Sequence, residues 1–166
     1  VANIPTDPRE VEKKMDYVVG ASILATSRFV KEVGLMCEDY FLYFEEIDWA
    51  LRGKGRFGLA YAPDSHVFHK VGGSSAKVES AFSLRLLYRN RIKFVARFLP
   101  QRLNRTLFDL SWELVRHILK GRIRNAKILA KVLLEYKEII SGARTTEKHP
   151  LANTKLPNDT AAEERG

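Results

Sequence analysis

Three consecutive helical patterns occupy the second half of the chain and restrict its fold more than any other feature. Apolar residues recur at helical spacing over residues 79–98, 103–119 and 122–140, as expected of helices that bury one face. Pro100 and Gly121 separate the patterns, since proline blocks a helix and glycine commonly ends one. We therefore expect three successive helices here.

The first half predicts strands mixed with short helices. An apolar, β-branched run at residues 17–25 with a central glycine predicts a buried strand. Residues 27–33 predict a short helix with a serine cap at its start and Gly34 at its end. Short apolar segments at residues 59–62 and 65–69 predict further strands.

Charge is strongly segregated along the chain. Residues 35–51 contain five acids and no Lys or Arg, whereas residues 85–131 contain thirteen Lys or Arg and two acids. The net charge of +8 favours an anionic partner such as nucleic acid, phospholipid or nucleotide phosphate. Cys37 is the single cysteine, which excludes an internal disulfide and a cysteine-based zinc site.

The acidic segment contains a predicted helix at residues 44–52. At about 100° per residue, Glu45, Asp48 and Arg52 share one face of this helix. Asp48 and Arg52 are spaced i,i+4 and can form an ion pair. Glu46 points in another direction, so its carboxylate is free to meet a substrate.

Aromatic residues surround these acids. They are Tyr40, Phe41, Tyr43, Phe44 and Trp49. Carboxylates among aromatic rings become partly buried, and burial raises a carboxyl pKa toward the range useful for a general base. The alternative is an ordinary solvated acidic face, and the residues alone leave both interpretations open.

A set of short motifs follows a fixed order along residues 16–100. The motifs are Gly20-Ala21, Gly34, Glu38-Asp39, the aromatic run at 40–44, Glu45-Glu46-Ile47-Asp48, Arg52, Pro63-Asp64 and His69. This order resembles the second half of family 2 glycosyltransferases of the GT-A fold, most closely the bacterial rhamnosyltransferase-like branch. Cys37 and Glu46 depart from it, because relatives usually carry Asp at the first position and often at the second.

The resemblance implies an α/β architecture. Residues 1–100 would be the C-terminal, acceptor-side part of a Rossmann-like GT-A glycosyltransferase domain. Residues 101–140 would form a basic amphipathic helical region, and residues 141–166 a disordered polar tail.

The resemblance also implies an inverting transfer from a nucleotide-diphosphate sugar to a hydroxyl in cell-surface polysaccharide or lipopolysaccharide synthesis. Glu46 would be the general base, and Glu45 and Asp48 would complete the catalytic set. The expected substrate-binding residues are Gly20, Ala21, Glu38, Asp39, Trp49 and Arg52. The donor would be a nucleotide sugar and the acceptor a glycan or lipid-linked sugar.

A divalent cation, Mg²⁺ or Mn²⁺, is implied as the cofactor that offsets the charge of the leaving phosphates. His69 matches a position where some relatives place a metal ligand, although a histidine at a strand end can equally bond the backbone. The family's main metal motif, Asp-x-Asp, does not occur in the 166 residues. We therefore expect little or no transferase activity from this chain alone, which would lack the donor-binding half.

The basic helices predict contact with an anionic membrane surface. Their apolar rows are Leu103, Leu107, Leu110, Leu114 and Ile118, and then Ile128, Leu129, Val132, Leu133 and Tyr136. The alternative is that these rows pack against the rest of the fold. Relatives suggest a cytoplasmic protein, peripheral at the inner face of the plasma membrane.

Two further hypotheses remain at this point. The chain could be a non-catalytic basic module that binds anionic lipid or nucleic acid, or the acceptor subunit of a split transferase. Nucleic acid is not the expected partner, because an acidic cluster contributes nothing to phosphate binding.

Overall fold

A computed structural model describes residues 7–68 and 80–145, with side chains through residue 143. The helices are α1 (Pro8–Glu12), α2 (Ser27–Val33), α3 (Glu45–Gly53), α4 (Ala81–Phe98), α5 (Leu103–Leu119), α6 (Ile123–Leu134) and α7 (Tyr136–Thr145), with a 3-10 turn at Pro100–Arg102. Within these described ranges the regular structure is entirely helical. None of these helices has the length and apolar character needed to cross a bilayer.

The predicted α/β fold is wrong for the part of the chain that the structure describes. Residues 17–25 form turns and bends rather than a strand, and residues 59–62 and 65–68 are also irregular. Val19 is 66% exposed and Leu24 is fully exposed. A strand is stable only when a neighbouring strand pairs its N–H and C=O groups, and none of these segments has such a neighbour among the described residues.

The predicted helices are largely confirmed, with corrections at their ends. α2 has the predicted bounds, but Thr26 rather than Ser27 caps it, accepting a hydrogen bond from the Phe29 N–H at 3.1 Å. The single helix predicted over residues 122–140 is two helices, α6 and α7, which meet at Glu135. Helix continues through Thr145, so the predicted disordered tail is wrong for residues 141–145; the remainder of that tail lies outside the described residues.

The main core lies between α4 and the three helices that follow it. Leu110, Leu129 and Val132 are fully buried there. The other members of the predicted rows in this cluster are Leu103, Leu107, Leu114, Ile128, Leu133 and Tyr136. Ile118 alone among the named residues is more than half exposed. Because these rows fill the core, they are not the surface that could meet a membrane.

A second hydrophobic cluster packs the acidic segment, residues 35–51, against α4. Tyr40, Phe94 and Val95 are its buried members, and side chains of α3 pack around them. On the other side of α3, Phe29 of α2 makes an edge contact with Trp49 at 5.0 Å between ring centroids. Helix α3 is thus held between α2 and α4, which fixes the orientation of its acidic first turn.

Candidate acidic site

A buried ion network anchors the acidic helix. Asp48 has no exposed surface, and its two oxygens accept hydrogen bonds from Arg52 Nε at 2.7 Å and Arg97 Nη1 at 2.8 Å. Arg52 also donates to the carbonyls of Val33 at 2.7 Å and Leu35 at 2.6 Å. The predicted i,i+4 pair is therefore present, and the network joins the end of α2 to α3 and α4.

Arg97 remains a cation despite its burial. Burial opposes its charge and is the largest single effect, but the adjacent Asp48 carboxylate, together with Tyr40 and Cys37, outweighs burial and raises the pKa of Arg97. Arg97 also donates to the Cys37 sulfur at 3.8 Å. Since both oxygens of Asp48 are occupied inside the protein, Asp48 positions the helix and does not face a ligand.

The loop before α3 has an unusual backbone. Phe41, Tyr43 and Phe44 have φ values of 60°, 69° and 76°, a left-handed region that side chains other than glycine seldom adopt. Such conformations persist only where surrounding contacts impose them, and they concentrate at functional sites. Here they immediately precede the acidic turn.

Asn90 of α4 supplies the restraint on this loop. Its side-chain amide donates to three main-chain carbonyls. The acceptors are those of Tyr40 at 2.8 Å, Leu42 at 2.7 Å and Tyr43 at 3.2 Å. Asn90 has no exposed surface, so these bonds form in a water-poor environment where an unpaired carbonyl is costly.

Tyr40 lies under the same loop. Burial, followed by the charge of Asp48, raises the pKa of Tyr40 far above its ordinary value. Its hydroxyl is buried without a hydrogen-bond partner among the described residues. Tyr40 is therefore a neutral core residue rather than an acid or base.

Glu45 and Glu46 form the first turn of α3, and each has one buried carboxylate oxygen, Oε2, without a hydrogen-bond partner in the described chain. Burial, together with the neighbouring charge of Glu46, raises the pKa of Glu45 against the lowering effect of its own backbone hydrogen bond. Buried polar atoms normally find partners. The two unpaired carboxylate oxygens in this turn thus mark a position where a donor could bind.

Gly20 lies directly against Glu46. A Cβ atom built on Gly20 would be 3.5 Å from Glu46 Oε1. Gly20, one of the expected substrate-binding residues, therefore lies beside the acidic turn, although no strand carries it. Ala21 is exposed beside it.

The other predicted site residues lie in different surroundings. Trp49 is buried and donates its indole N–H to the Gly34 carbonyl at 2.8 Å, so it packs in the interior. Glu38 is exposed, and so is Asp39. Asp39 faces a polar groove of about 570 Å³ that Arg89 and Lys93 also line.

Lys93 is nearly fully buried beside this groove and lies 3.7 Å from the Asp39 carboxylate. Burial, and then the charge of Arg89, lowers the pKa of Lys93. The groove does not include the acidic turn of α3, so the structure does not bring Asp39 together with Glu46.

The described residues contain no candidate ligand group for the predicted metal site. Residues 7–68 and 80–143 contain no group of three or more His, Cys, Asp or Glu side chains that could hold a metal ion. His69 lies outside the described residues, and His66 is exposed. A Mg²⁺ or Mn²⁺ site therefore stays a prediction, and we assign no chemical step to a metal.

Two residues of the site, Asn90 and Arg97, were not predicted from the sequence. Both lie on α4 and share a face with Phe94, since the three are spaced i, i+4 and i+7. Their partners are 47 or more positions earlier in the chain, with Arg97 reaching Asp48 across 49 positions. The available signal was the presence of two polar residues on the helix face that carries Phe94.

Replacing Glu45 by glutamine should stabilise the protein in a pH-dependent way. Because the folded-state pKa of Glu45 is raised above the ordinary value of 4.5, the ionised carboxylate opposes folding at neutral pH, and this cost disappears when the group is protonated. The variant should be more stable than the wild type at pH 7, with the difference vanishing below pH 4.5. Urea unfolding at both pH values measures this. A variant less stable than the wild type at pH 7 would contradict the burial of this charge.

Comparison with family models, characterised proteins and solved structures finds no match to this chain.

Proposed function

We propose that this chain supplies the acceptor side of an inverting glycosyl transfer from a nucleotide-diphosphate sugar to a hydroxyl of a cell-surface glycan precursor. Glu46 is the general base in this proposal. The order of motifs around Glu46 and the geometry of its carboxylate both support it. The proposal does not require the α/β fold, which the described residues lack.

The observation that carries the proposal is the arrangement of Glu46 and Gly20. One oxygen of Glu46 is buried without a partner, and the other faces a residue that has no side chain. A backbone without a Cβ lets a ligand approach a carboxylate closely. A sugar hydroxyl could therefore donate to Glu46 at this position, and the strained loop held by Asn90 keeps the carboxylate in place.

The chemistry requires one proton acceptor on this side of the reaction. Glu46 takes the proton of the acceptor hydroxyl while the hydroxyl oxygen forms a bond to the anomeric carbon of the donor. The bond from that carbon to the diphosphate breaks, and its electron pair leaves with the nucleotide diphosphate. Attack from the face opposite the leaving group inverts the anomeric configuration.

The remaining residues act around this step. Asp48, Arg52 and Arg97 hold α3 in position, and none of them is free to bind a sugar. The chain contains no Asp-x-Asp motif. The donor side of the reaction is therefore assigned to residues outside this sequence, either in a longer chain or in a partner.

Acceptor binding by the chain itself tests the proposal. We expect a panel of pyranosides, added to the ¹⁵N-labelled protein, to shift the amide signals of Gly20, Ala21, Glu45 and Glu46. Gly20→Ala should weaken these shifts, since its Cβ would fill the space 3.5 Å from Glu46 Oε1. Gly58→Ala is the matched control, because a Cβ there meets open space. If no sugar in the panel shifts these signals, or if the shifts survive Gly20→Ala unchanged, the result would argue against a site here.

A further inference from the structure

Helix α5 carries a second apolar row that no other described element covers. Phe108 is 71% exposed, Trp112 58%, Val115 40% and Leu119 78%. Their spacing of i, i+4, i+7 and i+11 places them on one face of the helix. We call these four residues the α5 outer stripe.

The outer stripe lies on the side of the helix that faces away from the core. At about 100° per residue, its centre is roughly 140° around the helix from the row of Leu103, Leu107, Leu110 and Leu114. The stripe spans eleven residue steps, or about 17 Å along the helix axis. An exposed apolar row on a second face of a helix is typical of a surface that binds a partner.

Positive charge runs along one side of the outer stripe. Arg105, Arg116 and Lys120 lie there, together with one acid, Asp109, whose carboxylate is 4.0 Å from Arg105. The other side carries the uncharged residues Asn104 and Ser111. We call Arg105, Arg116 and Lys120 the basic ridge. An apolar stripe beside this ridge is complementary to a membrane, in which an apolar layer lies beneath an anionic surface.

We propose that the α5 outer stripe binds an anionic membrane, with its four side chains inserted at the boundary between headgroups and acyl chains. Trp, Phe and Leu with flanking Lys and Arg are characteristic of helices that lie in this interface, and tryptophan favours the headgroup level. The basic ridge would then contact lipid phosphates. The net charge of +8 adds long-range attraction to the same surface.

A second copy of the chain fits the stripe less well than a membrane. Each copy would bring the same basic ridge to the contact, so that packing two outer stripes together places like charges near one another. An anionic surface instead neutralises the ridge. This inference is independent of the proposed function, since it rests on α5 and not on the acidic turn of α3.

Vesicle binding by the 166-residue protein tests the inference. We expect cosedimentation with phosphatidylcholine vesicles that contain phosphatidylglycerol, and much less with phosphatidylcholine alone. Added salt should weaken binding because it screens the charges. The emission of Trp112 should shift to the blue on binding. Trp49, the other tryptophan, is already buried and hydrogen-bonded and should contribute little to that shift.

Variants distinguish vesicle binding through the outer stripe and the basic ridge from non-specific attraction. Trp112→Ser should reduce partitioning at least about tenfold, and Arg116→Gln and Lys120→Gln about fivefold each. Leu24→Ser is the control, because Leu24 is a fully exposed leucine outside α5. Circular dichroism confirms that each variant is folded.

Three results would overturn the inference. They are equal binding by wild type and Trp112→Ser, equal binding to neutral and anionic vesicles, and a dimer in light scattering that Trp112→Ser dissociates without any vesicle binding. The last result would assign the outer stripe to a second copy of the chain.

Discussion

Asp48→Ala is expected to lower the free energy of unfolding by a large fraction of its total. The change leaves two arginines, Arg52 and Arg97, with side chains only 7% and 8% exposed and no carboxylate between them. Removing one partner of a buried ion pair costs about 3–5 kcal/mol, against a typical total stability of about 5–15 kcal/mol. Urea unfolding followed by circular dichroism measures the loss.

Two further variants make the Asp48 result interpretable. Asp48→Asn keeps the shape of the side chain but removes its charge, so it should also be strongly destabilising. Glu32→Ala breaks a surface ion pair with Arg28 that has the same i,i+4 spacing and the same length of 2.7 Å. This variant should change stability very little. An unfolding midpoint for Asp48→Ala equal to that of Glu32→Ala would show that the network does not hold α3 in place.

Asn90→Leu should produce the second large effect. Leucine has a similar volume, but it leaves the carbonyls of Leu42 and Tyr43 without their donor. The Tyr40 carbonyl loses the Asn90 amide and keeps the Leu42 N–H at 2.7 Å. Each unpaired buried polar group costs about 1–3 kcal/mol, so we expect a loss on the order of 3 kcal/mol. The left-handed residues of the loop would also lose the contact that imposes their conformation.

Hydrogen exchange and urea unfolding test the Asn90 prediction together. Amides of residues 41–46 should exchange faster in Asn90→Leu, whereas those of α5 and α6 should lose protection only as far as overall stability falls. Asn104→Leu is the matched control, since Asn104 is exposed on α5. If residues 41–46 exchange at the wild-type rate in the Asn90 variant, the loop is held by something other than this amide.

The helices could be predicted from the sequence because their signals are local. Periodicity, Pro100 and Gly121 determine α4 and α5 within a few residues. The i,i+4 pair of Asp48 and Arg52 follows from helix geometry alone. These features need no information about the rest of the chain.

The strands were predicted wrongly because a strand depends on residues far from it. The run at 17–25 is apolar enough for a strand, yet the described residues offer it no partner backbone. The α/β expectation came from a resemblance in motifs, and motifs record site chemistry more directly than they record pairing between strands.

The long-range contacts of the candidate site could not be predicted from the sequence either. Asn90 bonds to Tyr40 across 50 positions, and nothing near either residue predicts the other. The resemblance placed Trp49 among the expected substrate-binding residues, although a tryptophan in such a helix is more often a core residue. Its bond to the Gly34 carbonyl, 15 positions earlier, instead places it in the interior.

Glycosyl transfer by the complete gene product that contains these 166 residues tests the central claim most directly. The measurement is transfer of labelled sugar from a set of nucleotide-diphosphate sugars to glycan and lipid-linked acceptors. We predict transfer by the wild type and a loss of about 10²–10⁴-fold in Glu46→Gln, the contribution typical of a general base, with unfolding behaviour unchanged. A folded wild-type protein that transfers none of the sugars, or a Glu46→Gln variant as active as the wild type, would contradict the account.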